Sequence, residues 1–485
     1  MSGFSKQSPA VAVVGGGLAG LAAGCALSDA GFGVTLFERR PYVGGRASSY
    51  QHPGTGEVVD NCQHVLLGCC TNLLDFYRRT GVEDKIRWYD RLTFLEPGGR
   101  ASEIGASALP APLHTAPSFL TAACLSPLDK IGIARAMLAL MPSTPSDSGS
   151  FLTWLQRHHQ TDRAIERFWK TVLVSALNEE LDRVSVPYAA QVFRESFLKS
   201  AEAGRMGVPS VPLTDLYSAA GDYIRKRKGE IRFRASVDSF RSEPSQVTLC
   251  SAGQEHVFDY VVFAVPFDVL ARILPKAAEA QPLADLLRQF ETSPITGIHL
   301  WFDREISDLD HAVLLDRTIQ WMFHKSRLLR QFDNTESSQS AENSADPKRE
   351  TRNAGSYVEL VVSSSKSLIE KSRNDIIEIA LKELREFLPA ARDAALVKAT
   401  VIKEVNATYS PVPGIDVYRP RNATVWPRVF LAGDWTATGW PATMEGAVRS
   451  GYLAADELAR AAGQSEAKFL VPDLPASGLM RFFKK

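Results

Sequence analysis

The sequence predicts an α/β protein in which a Rossmann-like dinucleotide-binding domain is interleaved with an α+β substrate domain. Three observations lead to this prediction. The chain has 485 residues, of which 45% are hydrophobic, and a single core seldom organises so long a chain. Near the N-terminus, an apolar strand is followed by a glycine-rich turn, a helix and another strand. Near the C-terminus, RVFLAGDWTATGWPATMEGAVRSGYLAADEL again predicts a strand, a turn and a helix.

The N-terminal pattern is typical of a site for a dinucleotide pyrophosphate. Residues 11–14 form a short apolar run, as in a buried parallel strand. Three glycines then give the pattern G-x-G-x-x-G: Gly15, Gly17 and Gly20. They allow a tight turn, close approach of the phosphate, and close contact between helix and strand. Glu38 ends the next strand, where its carboxylate can accept hydrogen bonds from ribose hydroxyls, and we assign Arg39 beside it to the same cofactor.

Charge and composition exclude several classes of function. Lys and Arg together number 55, as do Asp and Glu, so the formal net charge is zero. A chain without excess positive charge is not expected to bind nucleic acid. The N-terminal residues lack the pattern of a signal peptide, and prolines interrupt the long uncharged run, so we expect a cytoplasmic protein without a spanning helix. The few cysteines fit free thiols in a reducing compartment.

Two further motifs indicate which dinucleotide is bound. RRPYVGGRASSY carries Gly45 in a glycine pair and then Arg46, whose guanidinium suits a phosphate or an electron-rich ring. This stretch resembles the G-G-R element of the flavin-dependent amine oxidase and phytoene desaturase superfamily, and the C-terminal pattern resembles its closing motif. The resemblance implies FAD as the cofactor, with further contacts from Val237, Gly433, Asp434 and Met444. A helix beginning near Met444 would aim its positive end at the flavin, where it would stabilise the reduced form.

The same resemblance divides the chain into interleaved segments. The FAD-binding domain is predicted in three segments: 1–95, 205–285 and 425–463. The substrate domain is predicted in two: 96–204 and 286–424. Residues 331–356 are polar and predict a flexible loop, and 464–485 form a C-terminal tail. No second G-x-G-x-x-G follows a strand, so the resemblance implies an external electron donor or reductase.

The stretch VVDNCQHVLLGCC, residues 58–70, has three possible interpretations. A metal site is disfavoured because adjacent cysteines rarely bind one tetrahedral ion and the spacing matches no zinc pattern. A redox pair would need C-x-x-C, which is missing. The third interpretation is a pocket wall. The run D-N-C-Q-H from Asp60 to His64, followed by L-L-G-C, resembles the hydroxysqualene dehydroxylases, as do LNEELDRVS at 177–185 and PITGIHLWFD at 294–303.

This branch of the superfamily implies the reductive dehydroxylation of hydroxysqualene to squalene, in squalene and hopanoid synthesis. Hydride from reduced FAD would reach an allylic carbon as the hydroxyl leaves as water, which requires a dry pocket and a proton donor. Three polar residues are candidates for positioning or protonating the hydroxyl: Gln63, His64 and Glu445. A structural role is the competing interpretation of His64 and Glu445. Gly297 stands where amine oxidases of the superfamily carry a lysine, which argues against amine oxidation.

Two other functions remain open at this point. An FAD-dependent desaturase of phytoene or a related polyene would share the fold and cofactor, with hydride flowing in the opposite direction. A non-catalytic protein that binds flavin and carries isoprenoid lipids is the other alternative.

The uncharged run from Ile104 to Leu128 leads into a helix that Ser126 can cap. Its apolar residues at helical spacing face either the core or one leaflet of a membrane. With an isoprenoid lipid as substrate, we expect a peripheral contact with the inner face of a bacterial membrane. The tail sequence GLMRFFKK fits such a contact or a frayed end.

Overall fold

The computed structural model describes residues 8–141, 149–329, 355–464 and 466–483. The strands of these ranges are β1 Ala10–Val14, β2 Gly33–Glu38, β3 Ser49–Gln51, β4 Val58–Asp60, β5 Leu66–Leu67, β6 Ile86–Tyr89, β7 Arg91–Leu95, β8 Ala101–Gly105, β9 Met206–Pro209, β10 Glu230–Phe233, β11 Val237–Ser242, β12 Val247–Ser251, β13 Gln254–Phe258, β14 Tyr260–Phe263, β15 Thr292–Phe302, β16 His311–Leu314, β17 Trp321–Phe323, β18 Tyr357–Ser363, β19 Leu396–Tyr409 and β20 Val429–Leu431.

The α-helices with described bounds are α1 Leu18–Asp29, α2 Thr71–Thr80, α3 Ala116–Thr121, α4 Pro127–Leu140, α5 Phe151–Arg157, α6 Asp162–Ala164, α7 Thr171–Leu177, α8 Val186–Phe193, α9 Leu213–Lys226, α10 Phe267–Ile273, α11 Gln281–Leu287, α12 Arg373–Phe387 and α13 Met444–Ala461. Two π-helical segments, Ile165–Lys170 and Arg194–Leu198, continue α6 and α8.

A parallel sheet of five strands forms the dinucleotide-binding half, in the order β10-β2-β1-β14-β20. This is the Rossmann order 3-2-1-4-5, in which the chain leaves β1 on one side and returns on the other. The turns after β1, β2, β14 and β20 therefore meet at one edge, where such folds bind ligands. Helices α1 and α13 cross closely over this sheet, because a Cβ on Gly451 would lie 2.3 Å from the carbonyl oxygen of Ala19.

A sheet of seven strands dominates the other half, in the order β19-β15-β18-β17-β16-β7-β8. Its side chains alternate between two faces, as strand geometry requires. On one face, residues such as Ile298 and Leu360 pack against α12 in a hydrophobic cluster. On the opposite face, residues such as Ile295 and Val361 line the large cavity described below. The sheet thus forms a wall of that cavity.

The helices from α3 to α8 pack around a group of aromatic side chains within the main hydrophobic cluster. Phe151 stacks on Trp154 with ring centroids 5.2 Å apart, and Trp169 meets Phe193 edge to face at 4.7 Å. The π-helical segment Arg194–Leu198 extends α8 towards the cavity. Such π-helical turns are frequent at functional sites.

The structure refines some of the sequence predictions. The capping box at Ser126 and Asp129 confirms the predicted start of α4. Strand β7 lies within the predicted segment 1–95, yet it pairs with β8 and β16 of the seven-stranded sheet. This pairing joins β7 to the sheet of the other half, and the predicted segment boundaries stay a prediction. The predicted polar loop lies outside the described residues, except for 355 and 356. Among the described residues, no helix has both the length and the apolar character needed to cross a membrane.

Candidate active site

A cavity of about 500 Å³ runs from the glycine-rich turn after β1 into the space under the seven-stranded sheet. Most of the predicted site residues line it: Gly15, Gly17, Glu38, Arg39, Gly45, Arg46, Gln63, His64, Val237, Gly433, Asp434, Met444 and Glu445. Gly20 is the exception, since it lies behind the turn. The structure thus brings the predicted cofactor and substrate residues to one continuous space.

The turn after β1 depends on its glycines. Gly15 has φ +110°, and a Cβ there would lie 2.4 Å from the carbonyl oxygen of Ala264. A Cβ on Gly20 would lie 1.9 Å from the carbonyl oxygen of Gly15, so Gly20 lets α1 approach the turn. Gly17 precedes α1 without a side-chain cap. The first amides of α1 therefore lack helical acceptors and can bind a pyrophosphate.

Glu38 is held rigidly at the end of β2. Its Oε2 accepts a hydrogen bond from the Gly16 amide and its Oε1 accepts one from the Arg40 amide, both at 2.7 Å. Each oxygen keeps a lone pair with which to accept a hydrogen bond from a ribose hydroxyl. Arg40 was missed from the sequence. Its guanidinium donates to the Gly45 carbonyl at 2.8 Å and joins β2 to the glycine pair, whereas Arg39 is exposed beside it.

The N-terminal and C-terminal motifs meet through an ion pair. Arg46 Nη2 lies 2.7 Å from Asp434 Oδ1, and Arg46 Nη1 donates to the Ala407 carbonyl on β19 at 2.7 Å. Asn61 donates through its side-chain amide to the Arg46 carbonyl. Helix α13 begins beside this pair at Met444, with Thr443 capping it. Uncapped amides at α1, a fixed carboxylate and this arginine form the donor and acceptor set that FAD requires.

His64 is fixed in one tautomer. Its Nδ1 lies 2.7 Å from the Cys62 carbonyl oxygen, which can only accept, so the proton is on Nδ1. Nε2 is then an acceptor on a ring that lines the cavity. Burial lowers the pKa of His64 below 6.5, which keeps the ring neutral at physiological pH. In this state Nε2 can accept a hydrogen bond or a proton, while the Nδ1 proton is held by the Cys62 carbonyl.

Gln63 and Glu445 are both constrained by hydrogen bonds. Gln63 Oε1 accepts from Lys325 at 2.7 Å, and its Nε2 donates to the His64 carbonyl at 2.9 Å. One Nε2 proton remains for positioning a ligand. Glu445 accepts from the Leu73 amide at 2.8 Å and the Asn72 amide at 3.2 Å, at the start of α2. These bonds give Glu445 a capping role, which agrees with the structural interpretation of this residue.

A buried ion cluster behind the cavity wall was not found from the sequence. Lys325 Nζ donates to Asp60 Oδ2 at 2.6 Å and lies 3.8 Å from Glu359 Oε2. His299, on β15, is the cross-strand neighbour of Glu359 on β18. Burial raises the pKa of Glu359 to about 8 and lowers that of His299 to about 3. No local pattern joins these residues, since they come from four separate segments.

The pKa of Glu359 makes stability depend on pH. An unfolded glutamate has a pKa of 4.5, so between pH 4.5 and about 8 the folded chain keeps a proton that the unfolded chain releases. Stability from this group therefore falls as pH rises through that window. Below pH 6.5 His299 opposes the trend, because its folded pKa is lowered. The decline should be clearest between pH 6.5 and 8, at up to about 1.4 kcal/mol per pH unit.

We expect Glu359→Gln to reduce this decline, because glutamine keeps the shape of the side chain and does not titrate. Urea unfolding of both proteins at several pH values from 6.5 to 8 would measure it. Parallel curves for the parent and the variant would show that Glu359 is ionised in the folded protein.

The rest of the cavity wall is mainly apolar. A polar patch lies where the π-helical segment Arg194–Leu198 meets the cavity. Apolar side chains from both halves face it: Leu67, Leu92, Val172, Val192, Phe197, Met206, Ile295, Trp321, Phe323 and Trp440. Glu195, which the sequence analysis missed, lines the cavity and pairs with Lys199 at 2.6 Å. Ser196 Oγ lies 3.6 Å from Cys69 Sγ. An elongated apolar molecule would suit most of this wall, and the polar patch could contact a polar group where the molecule carries one.

The cysteines of the stretch 58–70 lie in or beside this wall. Burial raises the pKa of Cys62 well above its usual value, so its thiol stays protonated. Among the described residues, no three His, Cys, Asp or Glu side chains form a group that could hold a metal ion. A Cβ on Gly297 would lie 3.2 Å from the Asn61 carbonyl oxygen, so a longer side chain there would press on the cavity wall.

Comparison with known proteins gives the family. The model of the flavin containing amine oxidoreductases matches residues 18–459. The 15-cis-phytoene desaturase of Synechococcus elongatus is 28% identical over 471 residues, covering 92% of this chain and 95% of that protein. The zeta-carotene desaturase of Synechocystis sp. is 25% identical over 474 residues, covering 92% of this chain and 96% of its own.

Solved structures share the fold. An oxidoreductase from Methanosarcina mazei superposes with a TM-score of 0.67 at 18% identity, over 91% of this chain and 98% of its own. Putrescine oxidase bound to putrescine gives a TM-score of 0.67 at 16% identity, over 94% and 98% of the two chains. Because the family match spans most of the chain and the cavity residues fit the cofactor, this chain belongs to the flavin-containing amine oxidoreductase family and is an FAD-dependent oxidoreductase.

Proposed function

We propose that this protein desaturates a long isoprenoid polyene of the phytoene type. FAD, when bound, would supply the hydride acceptor for this reaction. The carotenoid desaturases to which the chain is similar support the substrate class, and the mainly apolar cavity wall suits such a hydrocarbon. The state of His64 is the observation that carries the proposal.

Desaturation removes a proton as well as a hydride from neighbouring carbons, so it needs a base. Burial lowers the pKa of His64 and so favours the neutral ring, in which Nε2 is the acceptor because Nδ1 donates to the Cys62 carbonyl. A base held in one tautomer against the cavity is suited to take up the proton. The apolar wall would exclude water and hold the carbon chain against the cofactor groove.

A second candidate is the reductive dehydroxylation of hydroxysqualene. It is favoured by the run D-N-C-Q-H from Asp60 to His64, which forms part of the cavity wall, and by the polar patch at Glu195. A hydroxyl group could accept a hydrogen bond from the free Nε2 proton of Gln63. This reaction needs a proton donor, a role that neutral His64 does not provide.

Product analysis distinguishes the two reactions. The oxidised protein would be incubated with phytoene and a quinone, and the photoreduced protein with hydroxysqualene, both anaerobically in detergent. Extraction and mass spectrometry would identify the products. A polyene with an added double bond supports the proposal, and squalene formed in proportion to flavin supports the second candidate. If neither phytoene nor hydroxysqualene is consumed, both candidate functions are overturned.

We also propose an external redox partner that recycles the flavin.

We further propose that the protein works at the inner face of a bacterial membrane, through an apolar surface on α3 and α4. On α4, Leu128, Ile131 and Leu138 are between 59% and 73% exposed. Leu120 on α3 is 66% exposed. The C-terminal turn at Met480 lies beside the end of α4, because Met480 packs with Met137 and Met141 in one hydrophobic cluster. Such a surface suits insertion into one leaflet.

Replacing Leu128, Ile131 and Leu138 together by serine should weaken vesicle binding more than about 10-fold, because each large apolar side chain contributes about 1.5–3 kcal/mol on full burial. FAD content should not change, since none of the three lines the cavity. Flotation with lipid vesicles would measure binding. As a matched control, serine would replace Val257, Val397 and Val405, which are 51% to 62% exposed on strands. Equal flotation of both triple variants would contradict the membrane proposal.

A further inference from the structure

The ion cluster of Lys325, Asp60 and Glu359 has no part in the mechanism above. It is almost wholly buried, with side-chain exposures of 3% for Lys325, 4% for Asp60 and 0% for Glu359. Burying three ionisable groups is costly and seldom favours stability over apolar residues of similar size. The cluster also does not line the cavity. Its position next to residues 61–64 suggests that it acts on them.

A hydrogen bond connects the cluster to the cavity wall, and a second one continues within the wall to His64. Asp60 ends β4 and directly precedes the wall residues, while Lys325 Nζ reaches past it to Gln63 Oε1 at 2.7 Å. This bond fixes which end of the Gln63 amide faces Lys325, because an ammonium group can only donate. The Nε2 end must then face the His64 carbonyl, to which it donates at 2.9 Å.

The orientation of Gln63 bears on the His64 ring. The wall folds back on itself from Cys62 to His64, since His64 Nδ1 donates to the Cys62 carbonyl two residues earlier. Gln63 lies between these residues in sequence, and its side-chain amide connects the His64 carbonyl to Lys325 by two hydrogen bonds. Without these bonds, the His64 carbonyl loses a donor and the wall loses its connection to the buried cation.

We propose that Lys325 is a positioning residue that acts through Gln63 to hold His64 as a neutral base with Nε2 free. Asp60 fixes Lys325 by a bond of 2.6 Å, and Glu359 supplies a second carboxyl at 3.8 Å. Lys325 itself touches no substrate, because it lies behind the wall. The proposal rests on the proposed function for its effect on rate, but not for its effect on the state of His64.

The test replaces the cation and its partner together. Lys325→Met alone would leave Asp60 unpaired in the interior and could prevent folding. The cluster variant combines Lys325→Met with Asp60→Asn. It removes one charge of each sign, so the net charge is unchanged. Gln63→Leu breaks the same connection at its other end. A matched control combines Lys398→Met with Glu57→Gln, which removes an ion pair of 2.7 Å away from the cavity.

Nitrogen NMR of ¹⁵N-histidine-labelled holoprotein reads the tautomer without any substrate. His64 is assigned by its loss in His64→Ala. In the parent and in the control, His64 should show a protonated Nδ1 and an unprotonated Nε2. In the cluster variant and in Gln63→Leu, its signals should become those of exchanging tautomers. An unchanged His64 spectrum in the cluster variant would overturn the proposal.

The rate of the single flavin turnover gives a second readout. The cluster variant and Gln63→Leu should each be at least about 10-fold slower than the parent. Their combination should be no slower than the slower of the two, because both act through one connection. Multiplicative losses would contradict action through Gln63. If the parent turns over neither phytoene nor hydroxysqualene, the proposed function fails, while the NMR result still decides the positioning role.

Discussion

Gly20→Ala should abolish retention of FAD. The new methyl group would lie 1.9 Å from the carbonyl oxygen of Gly15, in the turn that cradles the pyrophosphate. No rotamer can relieve a clash with the backbone, so either α1 or the turn must move. Overpacking costs about 1–3 kcal/mol, and a clash between two backbone segments belongs at the upper end of that range. Since each 1.4 kcal/mol is about tenfold in affinity, the affinity for FAD should fall by about 100-fold.

Gly24→Ala is the matched control, one turn further along α1. Its methyl group would lie 2.8 Å from Ile224 Cδ1, the end of a flexible side chain that can rotate away. Flavin absorbance and fluorescence after gel filtration would report retention. Gly20→Ala should elute as apoprotein, whereas Gly24→Ala should keep its flavin. Equal retention in the two variants would show that the turn after β1 does not hold the cofactor.

His64→Ala should keep FAD and lose most of its activity. The hydrogen bonds of Glu38, Arg46 and Asp434 that form the cofactor groove are made with partners other than the His64 ring. Removing a base within reach of the substrate costs about 100-fold or more in rate. The flavin spectrum should remain that of the parent, while the rate of flavin reduction by the lipid falls. Activity equal to that of the parent would remove His64 from the chemistry.

The pH dependence of the parent tests the same assignment. Burial lowers the pKa of His64 below 6.5, so the ring stays neutral through the physiological range. The rate of desaturation should be constant around pH 7 and fall only below pH 6.5, where His64 takes up a proton. In His64→Ala this decline should be absent. If the rate instead rose as the pH fell, a proton donor would act in the reaction. That outcome would favour dehydroxylation.

Much of the cofactor site could be predicted from the sequence because its signals are local. The glycines lie close together in sequence, between the end of β1 and the first turn of α1: Gly15, Gly17 and Gly20. Glu38 ends the next strand, so spacing alone specifies the geometry of these residues. Arg40 stands close by but was missed, since its role comes from a bond to Gly45 that forms only when the chain turns. The resemblance to the flavin superfamily supplied the more distant contacts.

The buried cluster and the state of His64 could not be predicted in this way. Lys325 is 265 residues from Asp60 in sequence and reaches it only through the seven-stranded sheet. The tautomer of His64 follows from one bond to a backbone carbonyl, which no sequence pattern encodes. Gln63 and His64 were correctly expected in the cavity wall, and their part in positioning or protonating a hydroxyl stays a prediction.

An anaerobic single turnover in a stopped-flow spectrophotometer tests most directly whether lipid and flavin react in the shared cavity. Oxidised holoprotein would be mixed with phytoene in detergent, and photoreduced holoprotein with hydroxysqualene. We expect phytoene to bleach the oxidised flavin with one double bond formed per flavin, and His64→Ala to slow that phase about 100-fold or more. An oxidised flavin that phytoene leaves unchanged, with the reduced flavin reoxidised by hydroxysqualene, would contradict the proposed desaturation and favour the second candidate.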